Sequence, residues 1–264
     1  MKISFLSLGI FLAVGLQAQS DYMEPEGTPD LGDPCCIADG IPRTTEQMLE
    51  RRGIQLTVQA VVNALLDPRQ VVRSLAAAKL AQDKEKDAIP AIVEAFSRET
   101  AAGTREFMAD ALASLGEAQG FETLRGMCSA GDSPRMLKLA AVRSLIRLHD
   151  ESCVDSLLGL MHAEESSPPW TPARDSTLNA ELSEFSVYQF HQLSESQVNE
   201  IRNIAARCLA GRSAEVRLTA ARVLAKFGDA ASIPLLRKAI DAEQDSFNRP
   251  RMLDALTALQ DKYN

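Results

Sequence analysis

The stretch EVRLTAARVLAKFGDAASIPLLRKAI, residues 215–240, decides the fold. An Ala/Leu/Val run reaches Phe227, stops at Gly228-Asp229, and a second apolar run begins at Ile233-Pro234. Either this is a local helical hairpin or it is one copy of a repeat used along the chain. Sliding VRLTAARVLAKFGD along the sequence separates the two. It finds VRSLAAAKLAQD at 72–83, TREFMADALASLGE at 104–117, LKLAAVRSLIRLHD at 137–150 and a worn copy, NRPRMLDALTALQD, at 248–261. The first positions, Val72, Thr104, Leu137, Val216 and Asn248, are spaced by 32, 33, 79 and 32 residues, and 79 is two slightly lengthened periods. Self-similarity at this period marks a solenoid, in which each copy buries its apolar face only against its neighbours.

Before each of these runs lies another of helical period. In IQLTVQAVVNALL (54–66), Ile54, Val58, Val61, Val62 and Leu65 share one helix face. Its counterparts are AIPAIVEAF, FETLRGMC, CVDSLLGLM, VNEIRNIAARCLA and SIPLLRKAI, and Pro90 and Pro234 suit a first helical turn, where the missing N–H is not needed. Six helix pairs result, over about 54–82, 88–115, 118–148, 152–193, 196–227 and 230–260. The fourth is irregular, with an extended loop at 164–175 before a second helix near 175–193.

The phrase VR-x-x-AA-x-x-LA followed by AIP or SIP resembles the HEAT repeat family, closest to the short HEAT-like repeat of bilin lyases of phycobiliproteins, over about 50–262. The resemblance implies an all-α, right-handed α-solenoid of about six HEAT-like helix pairs. It also implies a ladder of ion pairs between neighbouring repeats. The matching residues are an acid six positions before a base: Asp67 and Arg73, Glu99 and Arg105, Asp132 and Lys138, Glu243 and Arg249. Arg217 follows Gly211 instead, and the fourth repeat has no match, so an interrupted ladder is expected there.

Residues 1–20, MKISFLSLGIFLAVGLQAQS, have the pattern of a secretory signal peptide: Lys2, an apolar stretch from Ile3 to Leu16, and a small-x-small end. The apolar run is shorter than the roughly 20 residues of a spanning helix, so cleavage near Ser20-Asp21 and an exported protein, periplasmic or secreted, with no stable membrane span, are expected. Cleavage removes one lysine and leaves 27 basic against 36 acidic side chains, a net charge of −9 with dispersed arginines, which disfavours nucleic acid. Residues 21–49 read as a flexible, acidic Pro/Gly-rich lead carrying Cys35-Cys36. Three more cysteines follow, Cys128, Cys153 and Cys208. In an oxidising compartment, Cys35 and Cys36 are candidates for disulfides to these three, for a vicinal disulfide, or for a cross-link to another molecule, and sequence does not choose the connectivity.

The resemblance implies that the second helix of each pair lines the inner curve. The seventh aligned positions there are Ala78, Asp110, Arg143, Arg222 and Asp254, and the eleventh are Gln82, Ser114, Arg147, Lys226 and Ala258. Arg143/Arg147 and Arg222/Lys226 are i, i+4 pairs, each placing two cations on one helix face, either as a basic patch for a carboxylate-rich partner protein or as solvated charge. The loop SSPPWTPARD holds the only tryptophan, Trp170, with Phe185, Tyr188 and Phe190 just beyond. Trp170 reads equally as an interface anchor or as a cover over the irregular repeat.

His149, His162 and His191 are the only histidines, and His149 and Cys153 lie four apart across a turn, so no metal site is indicated. No GxSxG, HExxH or phosphate-cradling glycine loop occurs, and neither an enzyme nor a cofactor is expected. Repeats of this kind favour a protein-binding or scaffold module that holds a partner protein on a curved surface. The alternatives are a lyase-like or chaperone-like protein handling a tetrapyrrole or similar ligand, as the resemblance implies, and a structural part of a larger envelope assembly.

Overall fold

The computed structural model describes residues 44–166 and 172–263. The signal-like residues 1–20, the lead through residue 43 with Cys35 and Cys36, and Trp170 lie outside the described residues. Among the described residues there are thirteen α-helices and no strand. They are α1 (Thr45–Glu50), α2 (Val58–Ala64), α3 (Gln70–Gln82), α4 (Ile89–Arg98), α5 (Ala102–Ser114), α6 (Ala118–Ser129) and α7 (Arg135–Arg147). Then come α8 (Val154–Ser166), α9 (Pro172–Val187), α10 (Glu195–Cys208), α11 (Ala214–Phe227), α12 (Ser232–Ala242) and α13 (Asn248–Gln260). From α2 onward they fall into the six expected pairs. The second helix of the fourth pair starts three residues earlier than expected and stops at Val187.

Residues 45–49, the end of the expected lead, lie in helix α1 instead. Thr44 caps it by accepting from the Gln47 N–H, and Leu49 is fully buried against the array. Two polar ties hold it to α3: Gln82 Nε2 donates to Thr45 Oγ1 at 3.1 Å, and Lys79 pairs with Glu46 at 3.0 Å. The lead's composition hid this turn because only one apolar side chain carries it.

The chain divides into two compact units between Ser144 and Leu145. In the first, α3 packs on α5 and α4 lies beside α5; in the second, α9, α11 and α13 stack in order while α8, α10 and α12 form the other row. The seam is built from small side chains. The sixth aligned positions, Ala77, Ala109, Val142 and Ala221, are all 0% exposed, as the fifth are at Ala76, Met108, Ala141 and Ala220. Small residues let helix backbones approach, which is why a chain with 5% aromatics still builds a dense core. Gly120 marks the closest approach. A Cβ there would lie 2.3 Å from the Ala113 backbone nitrogen and 2.5 Å from the Ala109 carbonyl oxygen. Gly120→Ala therefore forces α6 away from α5, and a urea titration should show a loss of about 2 kcal/mol.

The joints between repeats follow one pattern in three places. Lys84, Gly116 and His149 occupy the same aligned position and have φ of 59°, 96° and 62°. Each left-handed residue ends its helix with the same wrapped hydrogen bond, from Glu85, Glu117 and Asp150 N–H to the carbonyls of Leu80, Leu112 and Leu145. Only Gly adopts this conformation without strain, so Lys84→Gly should raise stability by about 1 kcal/mol, visible as a higher melting temperature. Gly228, at the equivalent joint after α11, has φ −64° and serves another purpose. It is buried, and a Cβ there would meet the Leu224 carbonyl oxygen at 2.3 Å and Leu259 at 3.1 Å. The Gly228-Asp229 break is thus a repeat joint, and Asp229 helps start α12 by accepting from the Ser232 N–H at 3.0 Å. Pro90 and Pro234 sit in the first turns of α4 and α12 as expected.

Candidate partner-binding surface

Among the described residues two rungs of the ladder are formed, one in each unit. Arg73, near the start of α3, donates to Glu99 through Nε at 2.7 Å and Nη2 at 3.2 Å. Arg217, near the start of α11, donates to Glu243 through Nε and Nη2, both at 2.7 Å. The acid comes from the following repeat, 26 residues on, where it is the C-cap of that repeat's first helix. Each arginine also donates Nη1 to two carbonyls of its own loop, Asp67 and Pro68 for Arg73, Gly211 and Arg212 for Arg217. Gly211 before Arg217 therefore breaks nothing, because that position supplies only a carbonyl.

The pairs are buried on the acid side and fix the charge states. Burial alone would raise Glu99, but Arg73 and the Ala101 and Thr100 N–H groups outweigh it and hold the carboxyl below its usual range. The Arg217 guanidinium brings Glu243 down to about 2, against a smaller opposing effect of burial and with help from the Asp245 N–H.

The other ladder positions differ. Asp67 is closed by Arg69 within its own turn, at 2.8–2.9 Å through the Arg69 backbone N–H, Nε and Nη2. Arg105 has no carboxylate partner among the described residues; its Nη1 donates to the Phe96 and Glu99 carbonyls, and its guanidinium stacks 4.0 Å from the Phe96 ring centroid. Lys138 donates to the Gly131 carbonyl at 3.3 Å, and Asp132 is exposed. Arg249 is exposed and makes none of these contacts among the described residues.

The four cations expected on one face are not equivalent. Arg143 and Arg147 share α7, and both are half-buried and have interaction partners. Arg222 on α11 is exposed. Lys226 turns inward: its Nζ donates to the carbonyls of Phe185 and Tyr188 and lies 5.3 Å from the ring centroids of Phe190 and Phe227. Burial, then the nearby Lys262, lowers its pKa. The aromatic cluster past the irregular loop is packing: Phe185 is fully buried, stacks on Phe190 at 5.3 Å and meets Phe227 edge-on at 6.2 Å. Of the cysteines, Cys128 and Cys153 are disulfide-bonded and Cys208 is a buried thiol. His149 is the left-handed end of a helix, with its ring 6.1 Å from that of His191.

Sequence reasoning missed the outer face of α12 and α13. Leu235, Phe247 and Leu253 are exposed there, at 48%, 61% and 47%, and Leu253 lines an open groove of about 900 Å³ with Asp241, Glu243, Asp245, Arg249 and Pro250. Arg251 lies over the Phe247 ring at 3.3 Å. The available signal was the aligned sixth position, alanine or valine in every other copy and leucine at Leu253.

Comparison with known proteins agrees with this repeat geometry. HEAT repeats match residues 58–146, and a PBS lyase HEAT-like repeat matches residues 216–242. No curated protein matches. Among solved structures, a designed armadillo repeat protein is 15% identical, with 77% of this chain and 100% of that chain covered and a TM-score of 0.45. The complex of CpcE and CpcF of phycocyanin lyase from Nostoc sp. PCC7120 is 19% identical, with 78% and 95% covered and a TM-score of 0.37. The described residues form an all-α array, and the chain is similar to HEAT repeats over residues 58–146 and to a PBS lyase HEAT-like repeat over residues 216–242.

Proposed function

We propose that this chain is an exported protein-binding or scaffold module, periplasmic or secreted, that holds a partner protein on its repeat surface. The observation that carries the reading is the contrast between the seam and the α12–α13 face. The seam positions are completely buried, whereas Leu235, Phe247 and Leu253 are exposed, Leu253 beside Arg249 in the groove. Clustered exposed apolar side chains with a charged rim characterise interaction sites on soluble proteins. Exposed Arg222, Trp170, Arg143 and Arg147 are further contact points in this reading. Export is supported by the signal-like residues 1–20 and by the bonded state of Cys128 and Cys153, since disulfides persist in oxidising compartments. Among the described residues no helix is long and apolar enough to cross a membrane.

The test uses residues 21–264 carrying a photo-crosslinking side chain at Arg222, and separately at Trp170, exposed to extract of the exported fraction of the source cells. A partner protein captured at either position, with the natural protein beginning near Asp21 by mass spectrometry, supports the reading. Capture at neither position, or a natural protein that retains residues 1–20 inside the cell, contradicts it. A second reading, handling of a tetrapyrrole or similar ligand, is favoured by the PBS lyase HEAT-like repeat over 216–242. That reading expects an absorbing ligand to copurify.

A further inference from the structure

The left-handed joint that follows α3, α5 and α7 occurs once more, ahead of the first helix pair. Gly53 has φ 79°, and the Ile54 N–H donates to the Leu49 carbonyl at 3.0 Å, the bond that Glu85, Glu117 and Asp150 make to Leu80, Leu112 and Leu145. Leu49 is as deeply buried as those three leucines. Four residues earlier, Thr45 is buried at the place that Ala76, Met108 and Ala141 hold in the other copies. Helix α1 packs on α3 as α3 packs on α5. It is the closing part of one more second helix, so the array opens on half a repeat.

What half a repeat lacks is a first helix. First helices lie side by side, as α8, α10 and α12 do, so the missing one belongs next to α2. Along α2 and its closing turn, Val58, Val62 and Leu66 recur every four residues and share one side. Val58 is 46% and Leu66 60% exposed, while Val61, Ala64 and Leu65 are buried in the core. Arginines stand at both ends of this helix, Arg51 and Arg52 just before it and Arg69 just after. They are gathered together: Arg69 Nη2 donates to the Arg52 carbonyl at 3.4 Å. Burial, then the nearby Arg69 and Arg51, lowers the Arg52 pKa. Among the described residues, Asp67 on Arg69 is the one carboxylate paired with any of the three.

We propose that residues 21–42 of this same chain take the place of the missing first helix, along the Val58–Leu66 side of α2 with their acids against Arg51, Arg52 and Arg69. Charge and connectivity both select this occupant. The segment carries six acids and no base, with Met23, Leu31 and Ile37 among its apolar side chains, and its four prolines disfavour a regular helix. It joins the array at Thr44, the N-cap of α1, so it is tethered where a first helix would be. Helix α2 is about 10 Å long, a distance that about four extended residues span. A second copy of this chain is a poor occupant, because its matching edge carries the same three arginines. The inference goes beyond the partner-binding reading and does not rest on it. Its consequence is a sealed edge, the task that capping units perform in stacked arrays.

For the test, the chain is expressed from residue 1, purified as the cell processes it, and given a photo-crosslinking side chain at Leu66 or, separately, at Val58. The expected product is a cross-link within one molecule, mapped by mass spectrometry to residues 21–42 and unchanged in yield on dilution. Glu24→Gln, Glu26→Gln, Asp30→Asn and Asp33→Asn made together should lower that yield on the order of fivefold at low salt. High salt should bring wild type down to the level of this variant, because exposed charges are screened. Arg51→Glu should act in the same direction from the other side. It leaves helix α1 in place, since the bonds of α1 to α3 do not use Arg51. A yield indifferent to these charges and to salt, a cross-link to a second copy, a product that maps elsewhere, or no product at either position overturns the proposal.

Discussion

Arg217→Ala should lower the stability of the unit that contains it by about 3 kcal/mol or more in a urea titration. The loss is large because Glu243 is buried and keeps its charge only through Arg217. It accepts two guanidinium bonds at 2.7 Å and the Asp245 N–H at 3.0 Å. Removing the arginine strands a carboxylate in a site built for an ion pair. The same pair sets a pH dependence. Glu243 has a folded pKa of about 2 against an ordinary value of 4.5. Its contribution is therefore complete above pH 4.5 and is lost as pH falls from there towards 2. The span corresponds to about 3 kcal/mol as an upper figure. Melting curves of wild type should fall over that acid range, and those of Arg217→Ala should fall less. Equal acid slopes would remove the pair from the account.

Phe185→Ala should cost about 3–5 kcal/mol, as truncation of a fully buried aromatic does. Phe185 fills the space between α9 and α11, stacked on Phe190 and edge-on to Phe227, and its carbonyl helps hold the Lys226 ammonium. Losing the ring opens a cavity next to a half-buried cation, so water entry adds to the loss of packing. The midpoint in urea should shift strongly. Thiol labelling gives an independent readout: buried Cys208, on neighbouring α10, should react faster in Phe185→Ala than in wild type. A variant that melts like wild type would mean that the cluster is surface rather than core.

The repeat was legible because its signals are periodic. Five copies of one phrase, the prolines of the first turns and the glycine joints gave six helix pairs, and each pair is present. What sequence missed was decided by single side chains or by direction. Helix α1 rests on Leu49 alone, too little for a periodicity to show. Lys226 looked like half of a cationic i, i+4 pair, but carbonyls freed where α9 ends draw its ammonium inward, which no spacing within α11 indicates. The ladder was visible as acid and base six residues apart, yet the bonded acid lies 26 residues on, in the next repeat. For that reason Arg217 seemed to lack a partner when only its own repeat was read. The exposed α12–α13 face was hidden for the opposite reason: Leu253 is apolar like the seam residues it aligns with, and only burial tells them apart.

Whether this array holds a partner protein is decided by capture from living cells. The natural protein would be cross-linked in place before lysis, purified whole, and read by mass spectrometry and absorption together. The account predicts one recurrent partner protein cross-linked to the repeat region, with no bound chromophore. An isolated chain carrying an absorbing small molecule and no protein partner would contradict it and favour ligand handling instead.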